Sequence, residues 1–272
     1  MDVLIYRLPF EQDADLRLCH HEGIAYQTDM TATVEYSDAY FERYAGYEGS
    51  AVAAALNAGR CAMLARHAPE GARVLDIGAG SGAFVRSARS WGFDAFGFDI
   101  NPKTVEHLKA IDAFARDPAT FDVLTFWDSL EHIAEPAQWL SMVKRNGRVL
   151  VALPIFSDLR EIRQSKHYRP GEHLYYWTAD GFVQWMRLYG YRLTEQSTHE
   201  TDAGREAIGA FAFVRELPMP CHACGGETWA DSWDWKNSRS WLCRCLACDG
   251  ISQLAETREQ AEALAIQLPE LR

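Results

Sequence analysis

Short apolar runs alternate with amphipathic stretches through the middle of the chain. "RVLDI" (73–77) reads as a buried strand, and "AFVRSARSWG" (83–92) as a helix stopped by Gly92. "FDAFGFDI" (93–100) is a second strand, and "PKTVEHLKA" (102–110) a helix with proline in its first turn. A short third strand is expected within 111–117, then a strand at "FDVLTFWD" (121–128). "EPAQWLSMVKRNG" (135–147) is a helix ended by Gly147, and "RVLVALP" (148–154) another strand. This alternation predicts a parallel sheet with helices on both faces. Upstream, residues 37–67 read as helical, with Ser50 as an N-cap. Downstream, "TADGFVQWMRLYG" is a helix, and "YRLTEQST" and "AIGAFAFVREL" are two further strands. At the front, "VLIYRL" and "GIAYQT" look like short strands around a polar loop.

Three segments follow from this pattern: a strand–loop extension at 1–36, a principal α/β domain at 37–216, and a small cysteine-rich module with a terminal helix at 217–272, entered through "LPMP". A chain of 272 residues suits one medium domain with an appendix. Apolar residues make up 48%, enough for a core, which excludes wholesale disorder. The net charge of -11 argues against coating nucleic acid or an anionic membrane by bulk charge, and leaves a local basic patch open. No run of about 18 apolar residues exists, so no membrane partner is expected. The first residues lack the features of a secretory signal, and the expected location is the cytoplasm. There, seven cysteines are metal ligands or buried thiols before they are disulfides.

The richest stretch is "RVLDIGAGSGAFV" (73–85). A strand, a glycine turn and a helix present backbone N–H groups at a helix N-terminus, which suits a nucleotide-like ligand. The spacing of Gly78, Gly80 and Gly82 is G-x-G-x-G, not the G-x-G-x-x-G of a pyrophosphate cradle. Asp76, two residues before the first glycine, would repel a pyrophosphate and suit a cationic ligand with an amino-acid tail. "VLDIGAGSGAF" resembles motif I of the class I S-adenosylmethionine (SAM)-dependent methyltransferases. "GFDI" supplies Asp99 as the acid that the resemblance places on the ribose hydroxyls, and "FDVLTFWDSLEHI" fits the apolar fourth strand and its following loop, with Asp128 at the cofactor edge. The resemblance covers about residues 40–215. It implies a Rossmann-like α/β fold with a seven-stranded sheet, the last strand antiparallel between strands five and six, and SAM as cofactor.

"FWDSLEHIAEP" (126–136) resembles the LEH segment of a group that includes ubiquinone-pathway O-methyltransferases, small-RNA 2'-O-methyltransferases and phage-type relatives. In the first two branches an acid, a Glu–His pair and a later histidine hold a divalent metal near the acceptor hydroxyl. The matching residues are Asp128, Glu131, His132 and His173, which implies Mg2+ or another divalent ion there. Asp128 departs from the glutamate of those branches and reaches less far. The plainer alternative is that Asp128 and Glu131 cap the next helix, with His132 lining the pocket as a base or donor. The following loop, "IFSDLREIRQSKHYRPGEHLYYWT", carries Arg160, Arg163, Lys166 and Arg169 among few acids. These could grip a phosphate, and Tyr168, Tyr175, Tyr176 or Trp177 could stack on a ring. Its other reading is a solvated charged loop. His132, His173, His167 and Tyr168 are the candidate catalytic residues, an imidazole being suited to take the acceptor's proton.

"CHAC" (221–224) and "CLAC" (245–248) are two C-x-x-C knuckles. Cys221, Cys224, Cys245 and Cys248 can close a tetrahedral structural zinc site, a zinc ribbon. Cys19 and Cys61 are read as buried or free thiols. From residue 216 onward five basic residues face nine acidic ones, which weakens phosphate binding by this module. A protein partner for the ribbon stays open. The leading expectation is methyl transfer from SAM to a nucleotide-like, nucleic-acid or phosphorylated acceptor. The alternatives are a phenol, quinone or nucleotide-sugar acceptor, or a non-enzymatic adaptor whose ribbon recruits a protein.

Overall fold

The computed structural model describes residues 11–20, 22–31, 42, 46–47, 49–115, 117, 121–144 and 146–215, together with the backbone of three strands beyond. The central sheet contains β4 (Arg73–Ile77), β5 (Asp94–Phe98), β6 (Val123–Trp127), β7 (Arg148–Pro154), β9 (Tyr191–Ser197) and β10 (Ile208–Arg215). Its order is β5-β4-β6-β7-β10-β9. The pairs among β5, β4, β6 and β7 are parallel, whereas β10 lies antiparallel between β7 and β9. The late hairpin is therefore inserted as the resemblance implies. β6 and β7 are apolar along nearly their whole length because helices cover both faces. β9, at the edge, alternates half-buried and exposed positions.

Seven strands were expected, and six form among the described residues. The place beside β5 holds a single parallel bridge between Gly97 and Phe114. The reason is local. Helix α3 (Pro102–Ala110) runs late, and Asp112 takes a φ of 51°. Only Gly97 N–H to the Ala113 carbonyl and Ala115 N–H to the Gly97 carbonyl remain as pairing bonds.

The helices start at their predicted signals, but the one expected over 135–147 ends at Met142, where Val143 takes an extended backbone (φ -65°, ψ 127°), and not at Gly147. α1 (Ala51–His67) starts at Ser50, whose hydroxyl accepts from Ala53 N–H. Gly82, in the left-handed region, opens α2 (Ala83–Ser90). Asn101 caps α3 by accepting from the N–H groups of Lys103 and Thr104. α4 (Ala137–Met142) precedes β7, α5 (Ala179–Leu188) is capped by Thr178, and the short α6 (His199–Asp202) sits between β9 and β10.

A second sheet was not foreseen. β1 (Glu11–Asp13), β2 (Leu16–Cys19) and β3 (Ile24–Gln27) form a meander, and β3 pairs antiparallel with β8 (Tyr175–Trp177). Leu16, Leu18 and Ala25 share a buried cluster with Phe156, Leu159, Ile162 and Tyr176. "GIAYQT" is thus a strand as read, while "VLIYRL" lies outside the described residues. Gly181 at the start of α5 meets the same meander. A Cβ there would stand 2.1 Å from the Gly23 carbonyl oxygen, so no larger residue fits.

β11 (Thr228–Trp235), β12 (Ser238–Cys245) and β13 (Ile251–Ala255) form a three-stranded antiparallel sheet. Cys245 ends β12. The linker, Cys221, Cys224, Cys248 and the terminal helix lie outside the described residues. Cys19 and Cys61 are buried free thiols, as read. Among the described residues no helix is long and apolar enough to cross a membrane.

Candidate active site

The glycine turn lies at the carboxyl ends of β4 and β5, where open parallel sheets bind ligands. Gly78, Gly80 and Gly82 have φ values of 78°, 53° and 75°, a region that L side chains rarely adopt. Gly78 is closed on one side: a Cβ there would lie 2.6 Å from the Ser129 Cβ. At Gly80 a Cβ would meet nothing within 4 Å, so this part of the turn is open to a ligand. Asp99 accepts from the N–H of Gly80 at 2.9 Å and of Asn101 at 2.8 Å, which ties the end of β5 to the turn. Asp76 is buried at 3% exposure and accepts from the Thr125 hydroxyl at 2.7 Å. Burial pushes its carboxyl up to about 7, against the Thr125 hydrogen bond and the Arg60 charge. Burial also raises Asp99, against its backbone hydrogen bonds.

Asp128 follows β6 with a φ of 57°. Arg205 holds it in a fork, Nη1 to Oδ2 at 2.7 Å and Nη2 to Oδ1 at 2.8 Å, and Arg60 Nη2 approaches Oδ2 at 3.3 Å. The same two arginines hold Glu200, which is fully buried, at 2.7 and 2.8 Å. Arg60 also lies over the Trp127 ring, 5.0 Å from its centroid. Burial alone would raise Glu200, but the His199 ring, with Nε2 3.4 Å from Oε1, and both arginines outweigh it and hold the carboxyl well below the usual range. Arg60, Glu200 and Arg205 escaped the sequence reading. They come from α1 and from the β9–β10 connection, and no local spacing links those segments.

Beyond Asp128, a 3-10 turn at Leu130–His132 carries the Glu–His pair. Glu131 is buried at 1% exposure, and neither carboxylate oxygen accepts a hydrogen bond from another residue. Burial, then the Asp128 charge, raises it well above the usual carboxylate value. His132 Nε2 stands 3.8 Å from Glu131 Oε1, and the His132 ring also hydrogen-bonds the Glu172 carbonyl. The rings of His132 and His173 meet edge to face with centroids 4.7 Å apart. One donor atom from each of Glu131, His132 and His173 falls within 4.8 Å of the others. Burial lowers His132, and burial with His132 nearby lowers His173 to about 3. His173 Nδ1 has no hydrogen-bond partner.

The structure therefore brings Glu131, His132 and His173 together and leaves Asp128 apart, in its arginine clamp. The helix-capping alternative is not what forms: no side chain caps the Leu130–His132 turn or α4. His167 is half-buried, and its Nε2 meets the Glu206 carbonyl at 3.0 Å. Tyr168 donates to Asp15 and accepts from Arg163 at 2.8 Å, and burial with the Asp15 bond pushes its hydroxyl up to about 12. Tyr175, Tyr176 and Trp177 are core residues of β8, at 3% exposure or less, and do not stack on a ligand as read. The basic loop is neutralised by acids inside and outside it. Arg160 pairs with Asp158 at 3.4 Å, Arg163 with Asp15 at 2.8 Å, Lys166 with Glu206 at 2.7 Å and Arg169 with Glu172 at 3.1 Å.

A glycine turn open at Gly80, a buried acid beneath it and an acid at the end of β5 stand together at the carboxyl ends of the parallel strands, the arrangement that the resemblance to class I SAM-dependent methyltransferases implies. Residues 47–196 match the profile of the methyltransferase domain family, and the chain belongs to that family. It is 32% identical over 118 residues to the ubiquinone biosynthesis O-methyltransferase of Photobacterium profundum, covering 36% of this chain and 47% of that protein. The Xylella fastidiosa enzyme of the same name is 29% identical over 119 residues, covering 36% and 48%. The chain thus spans about half the length of these curated relatives. Among solved structures, the fold is similar to magnesium protoporphyrin IX methyltransferase from Synechocystis PCC 6803 with bound S-adenosylhomocysteine. The TM-score is 0.51 at 17% identity, covering 66% of this chain and 96% of that one.

The arginine–carboxylate lattice makes a stability prediction. A folded-state value depressed below the unfolded one stabilises fully above about pH 4.3, and that stabilisation is lost as pH falls through the folded value. Glu200→Gln is expected to lower the unfolding free energy at pH 7 by about 3 kcal/mol, the scale of breaking a buried pair. The difference from wild type should shrink toward acid pH, and urea unfolding at pH 7 and pH 4 measures both.

Proposed function

We propose that the chain transfers the methyl group of SAM to a hydroxyl of a small acceptor held beside Glu131, His132 and His173. The observation that carries the reading is this buried, under-bonded cluster, one turn past the strand that follows the cofactor acids. Asp76, Gly78, Gly80, Gly82 and Asp99 hold the cofactor. The acceptor oxygen attacks the methyl carbon, the carbon–sulfur bond breaks, and S-adenosylhomocysteine leaves. His132 Nε2 takes the hydroxyl proton, and Glu131 Oε1, 3.8 Å away, balances the charge that results. His173 packs against the His132 ring and restricts its orientation.

A second reading is favoured by the two unpartnered oxygens of Glu131. Glu131, His132 and His173 would then hold a divalent ion, which supplies Lewis-acid lowering of the hydroxyl's pKa. Two imidazoles and one carboxylate suit a first-row transition ion better than Mg2+, which prefers oxygen ligands. Asp128, occupied by Arg205 and Arg60, stands outside that set.

A small acceptor is favoured over a phosphorylated or nucleic-acid one because each loop cation at 160, 163, 166 and 169 already has an acidic partner. Similarity to ubiquinone biosynthesis O-methyltransferases points the same way. The zinc site at Cys221, Cys224, Cys245 and Cys248 remains part of the proposal, supported by its sequence spacing. It predicts about one equivalent of bound zinc per chain, lost in Cys221→Ser and measured by elemental analysis.

Calorimetric titration tests the cofactor. SAM is expected to bind the wild type, with binding lost in Asp76→Ala and Asp99→Ala. The cationic cofactor selects ionised Asp76, so affinity should fall about fivefold from pH 7 to pH 6, and Asp76→Asn should flatten this dependence. A folded wild type that binds neither SAM nor S-adenosylhomocysteine would favour the adaptor reading. Mn2+ titration separates the two acceptor mechanisms. Binding that disappears in Glu131→Gln selects the metal-held cluster, and no Mn2+ binding leaves His132 as the base.

A further inference from the structure

The N-terminal meander is bonded directly to the segment that carries His173. Gln27, the last residue of β3, is buried at 4% exposure. Its backbone N–H donates to the Leu174 carbonyl at 2.9 Å, one step past the β3–β8 ladder. Its side-chain Nε2 donates to Tyr176 Oη at 2.8 Å, and Tyr176 Oη donates to the His173 carbonyl at 2.9 Å. From the opposite side, Leu174 N–H donates to the Glu131 carbonyl at 2.7 Å. The 173–174 segment is thus held between Gln27 and Glu131, and it carries the His173 ring, which packs on His132 and also bonds the His167 backbone.

A buried carboxamide is disfavoured unless it is bonded, and this one reaches Tyr176, which bonds the His173 carbonyl, and also bonds Tyr168. Gln27 stands opposite Leu16 in the β2–β3 ladder, beside the apolar cluster that Leu16 shares with Tyr176. We propose that Gln27 is a positioning residue. Acting through Tyr176 and the Leu174 peptide, it fixes the orientation of the His173 imidazole against His132 and Glu131. Groups that orient an imidazole through its neighbours determine which ring nitrogen carries the proton and where the other points. The N-terminal meander is on this account part of the acceptor site. The inference rests on the reading that the Glu131–His132–His173 cluster faces the acceptor, but its test needs neither cofactor, metal nor acceptor.

The test is nitrogen-detected NMR of the full chain labelled with 15N-histidine, with signals assigned by His132→Gln and His173→Gln. In the wild type, His173 should show two well-separated ring-nitrogen resonances, the mark of one fixed tautomer. Gln27→Met keeps the shape and the backbone donor but removes the carboxamide. In that variant the two His173 resonances should move toward each other, while those of His67 and His199, remote from the relay, stay in place. Tyr176→Phe, which removes only the hydroxyl, should displace the same resonances, and it decides the question if Gln27→Met does not fold. Unmoved His173 resonances in the folded variant overturn the proposal, as does an equal displacement of all histidines. Loss of Mn2+ or SAM binding would not mimic either outcome, so failure here is separable from failure of the proposed reaction.

Discussion

Carboxylates buried at the carboxyl end of a parallel sheet constrain everything built around them. Asp76, Glu131 and Glu200 are all at 3% exposure or less, and a buried charge is tolerated only with compensation. The three are compensated to different degrees. Glu200 has two arginines and a histidine and stays ionised, so it acts as a structural anchor. Asp76 has one hydroxyl and a more distant arginine, and sits near its midpoint at neutral pH. Glu131 has no hydrogen bond from another residue to either oxygen. This ordering separates Glu200, which holds the fold, from Asp76 and Glu131, whose compensation is incomplete and which the proposed function assigns to ligands.

The two flanks of the site are organised by different means. At the glycine turn, backbone geometry dominates: positive φ angles at three glycines and the Asp99 bonds that pin the turn. Around Asp128 and the Glu131–His132–His173 cluster, long-range pairing dominates. Asp128 is fixed by a residue 77 positions later, and the His173 segment by a residue about 150 positions earlier. The arginine clamp sets the direction in which the chain leaves β6, and the meander sets where the chain returns after the loop at 157–172. The Glu–His pair and the later histidine meet because both ends are held.

This difference explains what was legible in the sequence. The strand–helix alternation, the Ser50 cap and the glycine turn are local patterns that the structure forms as read, and Asp99 falls at the end of β5, beside the turn. The late hairpin falls at its expected place for the same reason. The third strand shrank to a bridge because a positive φ at Asp112 uses residues that pairing would need. The basic loop looked like a phosphate grip because its partners, Asp15 and Glu206, are distant in sequence. Its aromatic residues looked like stacking platforms because pairing of β8 with β3 had no local signal. Tertiary pairing, invisible to spacing, converted both features into structure.

The most direct measurement of the central claim is a crystal structure of the protein with S-adenosylhomocysteine. The account predicts the nucleoside over Gly80, its ribose hydroxyls on Asp99, and its sulfur facing His132 and His173. A ligand bound elsewhere, or one whose sulfur faces the Arg60–Asp128 clamp and leaves the histidines behind it, would contradict the account.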